Sequence, residues 1–157
     1  CKTLEEAFEK ASGKKFALNK SKINLKSLGK KTFIVTNAGG AGALASDYLS
    51  NSGFSLPAFP NLKNPLDILG TAESKDYLSA LENVRNLDVD FITIIVTPQS
   101  MTDVDEVAVK IVEFSKTCKK KLVALFLGGQ KIRNASLTLR EKGILCFNTL
   151  KEFKGAL

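Results

Sequence analysis

The sequence predicts an α/β domain with a five-stranded parallel sheet in the order 2-1-3-4-5, and three observations lead there. Apolar runs without polar alternation recur along the chain: TFIV (32–35), FITIIV (91–96), KLVALFL (121–127) and ILCF (144–147). Strands that are apolar throughout belong to a sheet covered on both faces. Between these runs, apolar residues recur at helical spacing, so strand and helix alternate. Right-handed crossovers in units of this length make strands 1 and 3 neighbours and send their helices to opposite faces. The expected architecture is the flavodoxin-like three-layer domain.

Each element has its own signal. TLEEAFEKA opens with Thr3-x-x-Glu6, a capping-box pattern that places Leu4, Phe8 and Ala11 on one helical face. A lysine-rich connector follows, and residues 1–30 are set apart from a domain over 31–157. After strand 1, AGALASDYLSN (41–51) reads as a helix. FSLPAF (54–59) is a weaker second strand, broken by Pro57, and NPLDILG (64–70) reads as a turn before a helix over 73–86. FITIIV is the strongest strand, continuous, β-branched and bounded by Asp90 and Pro98. A helix over 103–117 presents Val104, Val107, Ala108, Ile111 and Val112 to the core. KLVALFL is the fourth strand, 130–142 a helix, ILCF the fifth strand, and Thr149-x-x-Glu152 caps a short last helix.

The 157 residues fit one domain, and no apolar run approaches the ~20 residues of a membrane span. Nothing resembles a signal peptide, and the start at Cys1 reads as a fragment of something longer. Cys1, Cys118 and Cys146 are an odd count without short spacing, as expected of reduced thiols in a cytoplasmic protein. The chain has no histidine, which excludes Ser/His/Asp and Cys/His nucleophile systems and histidine metal ligands within it. The net charge of +7 is not a nucleic-acid signature: residues 1–31 hold nine lysines against three glutamates, and the remaining residues are nearly neutral. That lysine-rich segment has no arginine and a single aromatic beyond Phe8, so it lacks the groups that base readout favours.

Ligands in open α/β sheets bind beyond the carboxyl ends of the strands, at the switch point between strands 1 and 3. The loops expected there are 36–40 and 97–101. In the first, Gly39, Gly40 and Gly42 permit positive φ and close approach, so peptide N–H groups at a helix N-terminus can converge on an anion, with the Asn37 amide as a further donor. A tight strand–helix turn explains the same glycines. Gly40-x-Gly42-x-x-Ala45 satisfies a dinucleotide fingerprint only weakly, since no acidic residue ends the expected second strand. A P-loop fails because no Gly-Lys-Ser/Thr follows. In the second loop Pro98 fixes the turn, Gln99 and Ser100 offer neutral donors, and Thr102 or Asp103 caps the next helix. Two helix N-termini with uncharged donors then face one place. Asn64 and Asp67 bracket a Pro turn.

TNAGGAGALASD (36–47), NPLDILG (64–70), VTPQSMTD (96–103) and LGG (127–129) resemble, in order and spacing, the succinyl-CoA-synthetase-like flavodoxin domain of NDP-forming acyl-CoA synthetases. The resemblance runs over nearly all of residues 31–157, and the same architecture occurs in fused protein acetyltransferases with an inactive synthetase-like region. It implies a ligase that interconverts acid, CoA and ATP with acyl-CoA, ADP and phosphate through a phosphohistidine. It further implies partner domains: a CoA-binding Rossmann domain, a histidine-bearing domain and an ATP-grasp domain. This domain would lend a helix N-terminus that stabilises the phosphohistidine, with Asn37, Gly39 and Gly40 starting that helix and Thr97, Pro98, Gln99 and Ser100 forming the substrate-side loop. Asn64 and Asp67 would support them. The parent would use ATP/ADP, Mg and CoA, while this domain alone would bind no cofactor or metal and catalyse nothing.

Overall fold

The computed structural model describes residues 24–157; the helix expected over TLEEAFEKA and most of the lysine-rich connector lie outside them. Five parallel strands, β1 (Thr32–Thr36), β2 (Leu66–Asp67), β3 (Phe91–Val96), β4 (Lys121–Phe126) and β5 (Leu145–Phe147), lie in the order β2-β1-β3-β4-β5. The register pairs Thr32 with Phe91 and Thr36 with Ile95 across β1 and β3, and Phe91 with Lys121 across β3 and β4. The helices are α1 (Gly39–Asn51), α2 (Ser74–Val84), α3 (Val104–Ser115), α4 (Arg133–Glu141) and α5 (Leu150–Gly155). A 3-10 turn, Gly129–Ile132, precedes α4.

Period-2 alternation splits each strand between two cores. Phe33, Val35, Ile92, Ile94 and Val96 face Tyr77, Leu81, Val107, Ile111 and Leu139 of α2, α3 and α4. Ile34, Phe91, Ile95, Val123 and Leu125 face Ala45 and Leu49 of α1 and Phe153 of α5. Helices therefore cover both faces, and α1 and α2 leave β1 and β2 on opposite sides. Burying one Ile or Val side chain contributes about 1.5–3 kcal/mol, so truncating Ile111, fully buried on α3, would cost about 2–5 kcal/mol. Leu25 is also buried in the second core, and its N–H donates to Ala156 O at 2.8 Å.

The second strand is not where the sequence pattern puts it. Of 54–59, only Ser55 pairs with the sheet, bridging Lys31 through Ser55 N–H to Lys30 O (2.7 Å) and Thr32 N–H to Ser55 O (3.0 Å). Pro57 and Pro60 have no N–H to donate, so the ladder stops. The edge of β1 is next covered by the Asn64 side chain, which accepts from Ile34 N–H (3.0 Å) and donates to Thr32 O (3.0 Å). That is the pattern of a parallel-strand residue opposite Phe33, made by a side-chain amide. Backbone pairing resumes at Leu66–Asp67, opposite Val35 and Thr36. NPLDILG thus holds the second strand as well as a turn.

Candidate functional site

The carboxyl ends of β1 and β3 lie side by side at the switch point, the crevice position of open α/β sheets. The Thr36 hydroxyl turns the chain there, accepting from Ala38 N–H (3.0 Å) and donating to Ala38 O (3.1 Å). Ala38 is the N-cap of α1 and has no side-chain group to offer; the first helical bond runs from Gly42 N–H to Ala38 O at 3.0 Å. The N–H groups of Gly39, Gly40 and Ala41 thus have no side-chain cap, and the first turn carries no acidic residue to offset the helix dipole.

The three glycines differ. None of them uses the positive φ that glycine permits. A Cβ on Gly42 would lie 2.9 Å from Thr36 Cγ2, so Gly42 lets α1 settle on the sheet. A Cβ on Gly39 would lie 2.7 Å from Asp67 Oδ2, while one on Gly40 would meet nothing within 4 Å. Gly42 answers to packing; Gly40 faces open space at the helix mouth.

Asn37 is only 2% exposed. Its Nδ2 donates to Thr97 O (2.8 Å) and Thr102 Oγ1 (3.3 Å), and its Oδ1 accepts from Thr97 N–H (2.9 Å) and Thr97 Oγ1 (3.1 Å). The amide expected to reach an anion is spent tying the two loops together. Beneath it, the Tyr77 hydroxyl donates to Ile95 O (3.1 Å); burial pushes the phenol well above its ordinary pKa, so it stays neutral. Thr102 Oγ1 donates to Ala72 O at 2.8 Å, which draws the loop before α2 into the same network.

Of the two caps expected for α3, the structure shows Asp103, accepting from Asp105 N–H (3.0 Å) and Glu106 N–H (3.1 Å). With Asp105 and Glu106 in the first turn, this N-terminus is closed to anions. One uncapped helix N-terminus faces the crevice where two were expected. Gln99 Nε2 donates to Thr97 Oγ1 (3.1 Å) and its stem lies against Gly70. Pro98 lies where a Cβ on Gly128 would be, so the glycine after β4 admits this loop. Ser100 is exposed at the rim.

Asp67 stands at the crevice, Oδ1 accepting from Leu69 N–H at 2.8 Å, whereas Asn64 lies on the β1 edge away from it. Because β2 ends at Asp67, the ground for discounting a dinucleotide site, the lack of an acid after strand 2, does not hold. The fingerprint fails for another reason: Asp67 Oδ2 crowds Gly39, and Gly40 and Gly42 lie within the helix instead of the turn. Sequence reasoning passed over Thr36, Tyr77, Thr102 as a buried link, and Gly128. Tyr77 had a signal, being one of two tyrosines beside ten phenylalanines. Among the described residues no group of three or more Cys, Asp or Glu side chains is arranged to hold a metal, and no helix is long and apolar enough to cross a membrane.

No protein-family model matches the chain. It is 32% identical to acetate–CoA ligase [ADP-forming] I of Archaeoglobus fulgidus, over 71% of this chain and 18% of that protein. It is 29% identical to the alpha subunit of acetate–CoA ligase [ADP-forming] I of Pyrococcus furiosus, over 74% of this chain and 29% of that subunit. Among solved structures, the dinucleotide forming acetyl-coenzyme A synthetase 1 of Ca. Korarchaeum cryptofilum superposes with a TM-score of 0.72 at 26% identity, over 82% of this chain and 32% of that one. The chain thus spans between about a fifth and a third of these three proteins. In sequence and in fold, it is a succinyl-CoA-synthetase-like flavodoxin domain, homologous to one segment of the ADP-forming acyl-CoA synthetases.

Proposed function

We propose that this domain works inside an NDP-forming acyl-CoA synthetase, where the open N-terminus of α1 receives the phosphoryl group carried by a histidine of a neighbouring domain. The observation that carries this reading is the uncapped, acid-free first turn of α1 at the switch point of a chain without histidine. The N–H groups of Gly39, Gly40 and Ala41 would donate to the phosphoryl oxygens. Thr97, Pro98, Gln99 and Ser100 would wall the substrate side, with Asn37 between, Asp67 beside the helix mouth and Asn64 in support. A helix N-terminus contributes about 0.3–1 kcal/mol to an exposed anion and up to ~2 kcal/mol when partly buried. The division into a connector over 1–30 and a domain over 31–157 belongs to this reading.

The glycine turn has no lysine for a nucleotide. In this reading ATP/ADP, Mg and CoA would be held by the ATP-grasp, Rossmann and histidine-bearing partner domains, in a cytoplasmic enzyme. What the chain's own groups do is orient the phosphoryl oxygens and shield them from one side.

The test is phosphoenzyme formation in the full-length protein. Wild type should acquire acid-labile phosphohistidine from ATP. Gly40→Asp, which sets a carboxylate at an open position, should lose it by about 100-fold or more without a drop in melting temperature. Equal labelling in both would show that Gly40 serves only the turn. An acetyltransferase domain in place of the histidine-bearing one, with no labelling, would favour the regulatory module of a fused acetyltransferase.

A further inference from the structure

We propose that Asn37 is a positioning residue: it fixes the 97–102 loop against the start of α1 and leaves the phosphoryl contact to the helix and the loop. The proposal rests on the functional reading above and deepens it. A primary amide has two donor hydrogens and two acceptor lone pairs. At Asn37 all four are taken, by Thr97 O and Thr102 Oγ1 on the donor side and by Thr97 N–H and Thr97 Oγ1 on the acceptor side. At 2% exposure it has no donor left for a ligand. Turning outward would break four hydrogen bonds to gain one.

The position of Asn37 makes the tie consequential. Ala38 alone separates it from the first residue of α1. The 97–102 loop is therefore referenced to the helix mouth by a short, stiff path. The same loop is held from two other sides, by Thr102 Oγ1 on Ala72 O (2.8 Å) and by Pro98 against Gly128. The ties converge on one loop from the elements after β1, β2 and β4, and its exposed residues are Gln99, Ser100 and Met101. A reacting group misplaced by ~1 Å can cost on the order of 100-fold in rate. A buried, fully satisfied network resists that displacement.

The experiment compares Asn37→Ala, Thr102→Val and the double variant in the full-length protein, with rates normalised to folded molecules. Asn37→Ala should slow single-turnover phosphoenzyme formation by about 100-fold while phosphate KM moves by less than about 3-fold. Thr102 is buried and touches Asn37, so Thr102→Val should give a smaller loss of the same kind, and the double variant should be no slower than Asn37→Ala. A phosphate KM that rises at unchanged kcat would make Asn37 a direct contact and overturn the proposal. So would multiplying losses, or full activity per folded molecule. If Asn37→Ala does not fold, Thr102→Val decides: unchanged kcat overturns the proposal. A wild type without phosphohistidine would defeat the functional reading instead. Amide exchange on the full chain then judges the tie, which stands if Thr97 N–H exchanges faster in the variant and falls if it does not.

Discussion

The N-termini of α1 and α3 follow neighbouring strands toward the same crevice and are finished in opposite ways. Asp103 caps α3 with bonds to Asp105 and Glu106 N–H, and two further carboxylates sit in that first turn. α1 follows Ala38, whose side chain caps nothing, and its first turn is free of acid. An Asp, Ser or Asn in place of Ala at an N-cap is worth about 1 kcal/mol. α3 is finished for stability, and α1 forgoes that stability while keeping three peptide donors open. On the proposed reading, the difference gives the anion-binding task to one helix although both point the right way.

The largest effect expected from erasing the difference is at Ala38. Ala38→Asp should raise stability by about 1 kcal/mol, read as a higher denaturant midpoint. It should also slow phosphoenzyme formation in the full-length protein by about 100-fold, because the new carboxylate occupies the helix donors. Ala38→Ser separates occlusion from charge repulsion and should show the same signs with a smaller loss. Stability and rate moving in opposite directions is the signature; a loss of both would mean that Ala38 matters only for packing.

The converse change is smaller. Asp103→Ala removes the cap of α3 and should cost about 1 kcal/mol of stability, measured by denaturant unfolding. Phosphoenzyme formation per folded molecule should stay within about 3-fold of wild type, since no ligand meets that helix end. A rate loss as large as that of Ala38→Asp would break the comparison and restore two working N-termini.

How much of this was legible follows from the kinds of signal involved. β3 and β4 are six-residue strands buried throughout except at Lys121, so their place at the centre of the sheet could be read directly. β2 is two residues long and could not be read that way; a side-chain amide and a single Ser55 bridge replace the rest of it. The location of the crevice followed from topology alone. The role of Asn37 did not, because an amide that binds an anion and one that pairs with a backbone look identical in sequence. Capping was partly visible: Thr102 and Asp103 both fit, and the choice fell to Asp103 because the Thr102 hydroxyl is buried against Ala72 O.

A second carboxylate that accepts from paired peptide N–H groups lies at the opposite end of the sheet and gives the smallest effect. Asp90 Oδ2 accepts from Lys30 N–H (2.6 Å) and Lys31 N–H (2.8 Å), and Gly29, at φ +116°, leaves the room that this approach requires. The Lys31 N–H, then the Lys30 N–H, hold the Asp90 carboxyl below its ordinary value of 3.8. A carboxyl with a lower pKa folded than unfolded stabilises the fold above the unfolded value and loses that contribution as pH falls through the folded one. Asp90→Asn keeps an acceptor oxygen without the charge. Because the group is exposed, the variant should lose less than about 1 kcal/mol at pH 7. The gap between variant and wild type should be constant down to about pH 4 and shrink below it, as wild-type Asp90 becomes protonated. Unfolding curves for the pair from pH 7 to pH 2 would show this. A gap that does not narrow in acid would mean that the two backbone bonds depend on the shape of the side chain and not on its charge, and would weaken the same argument for Asp103.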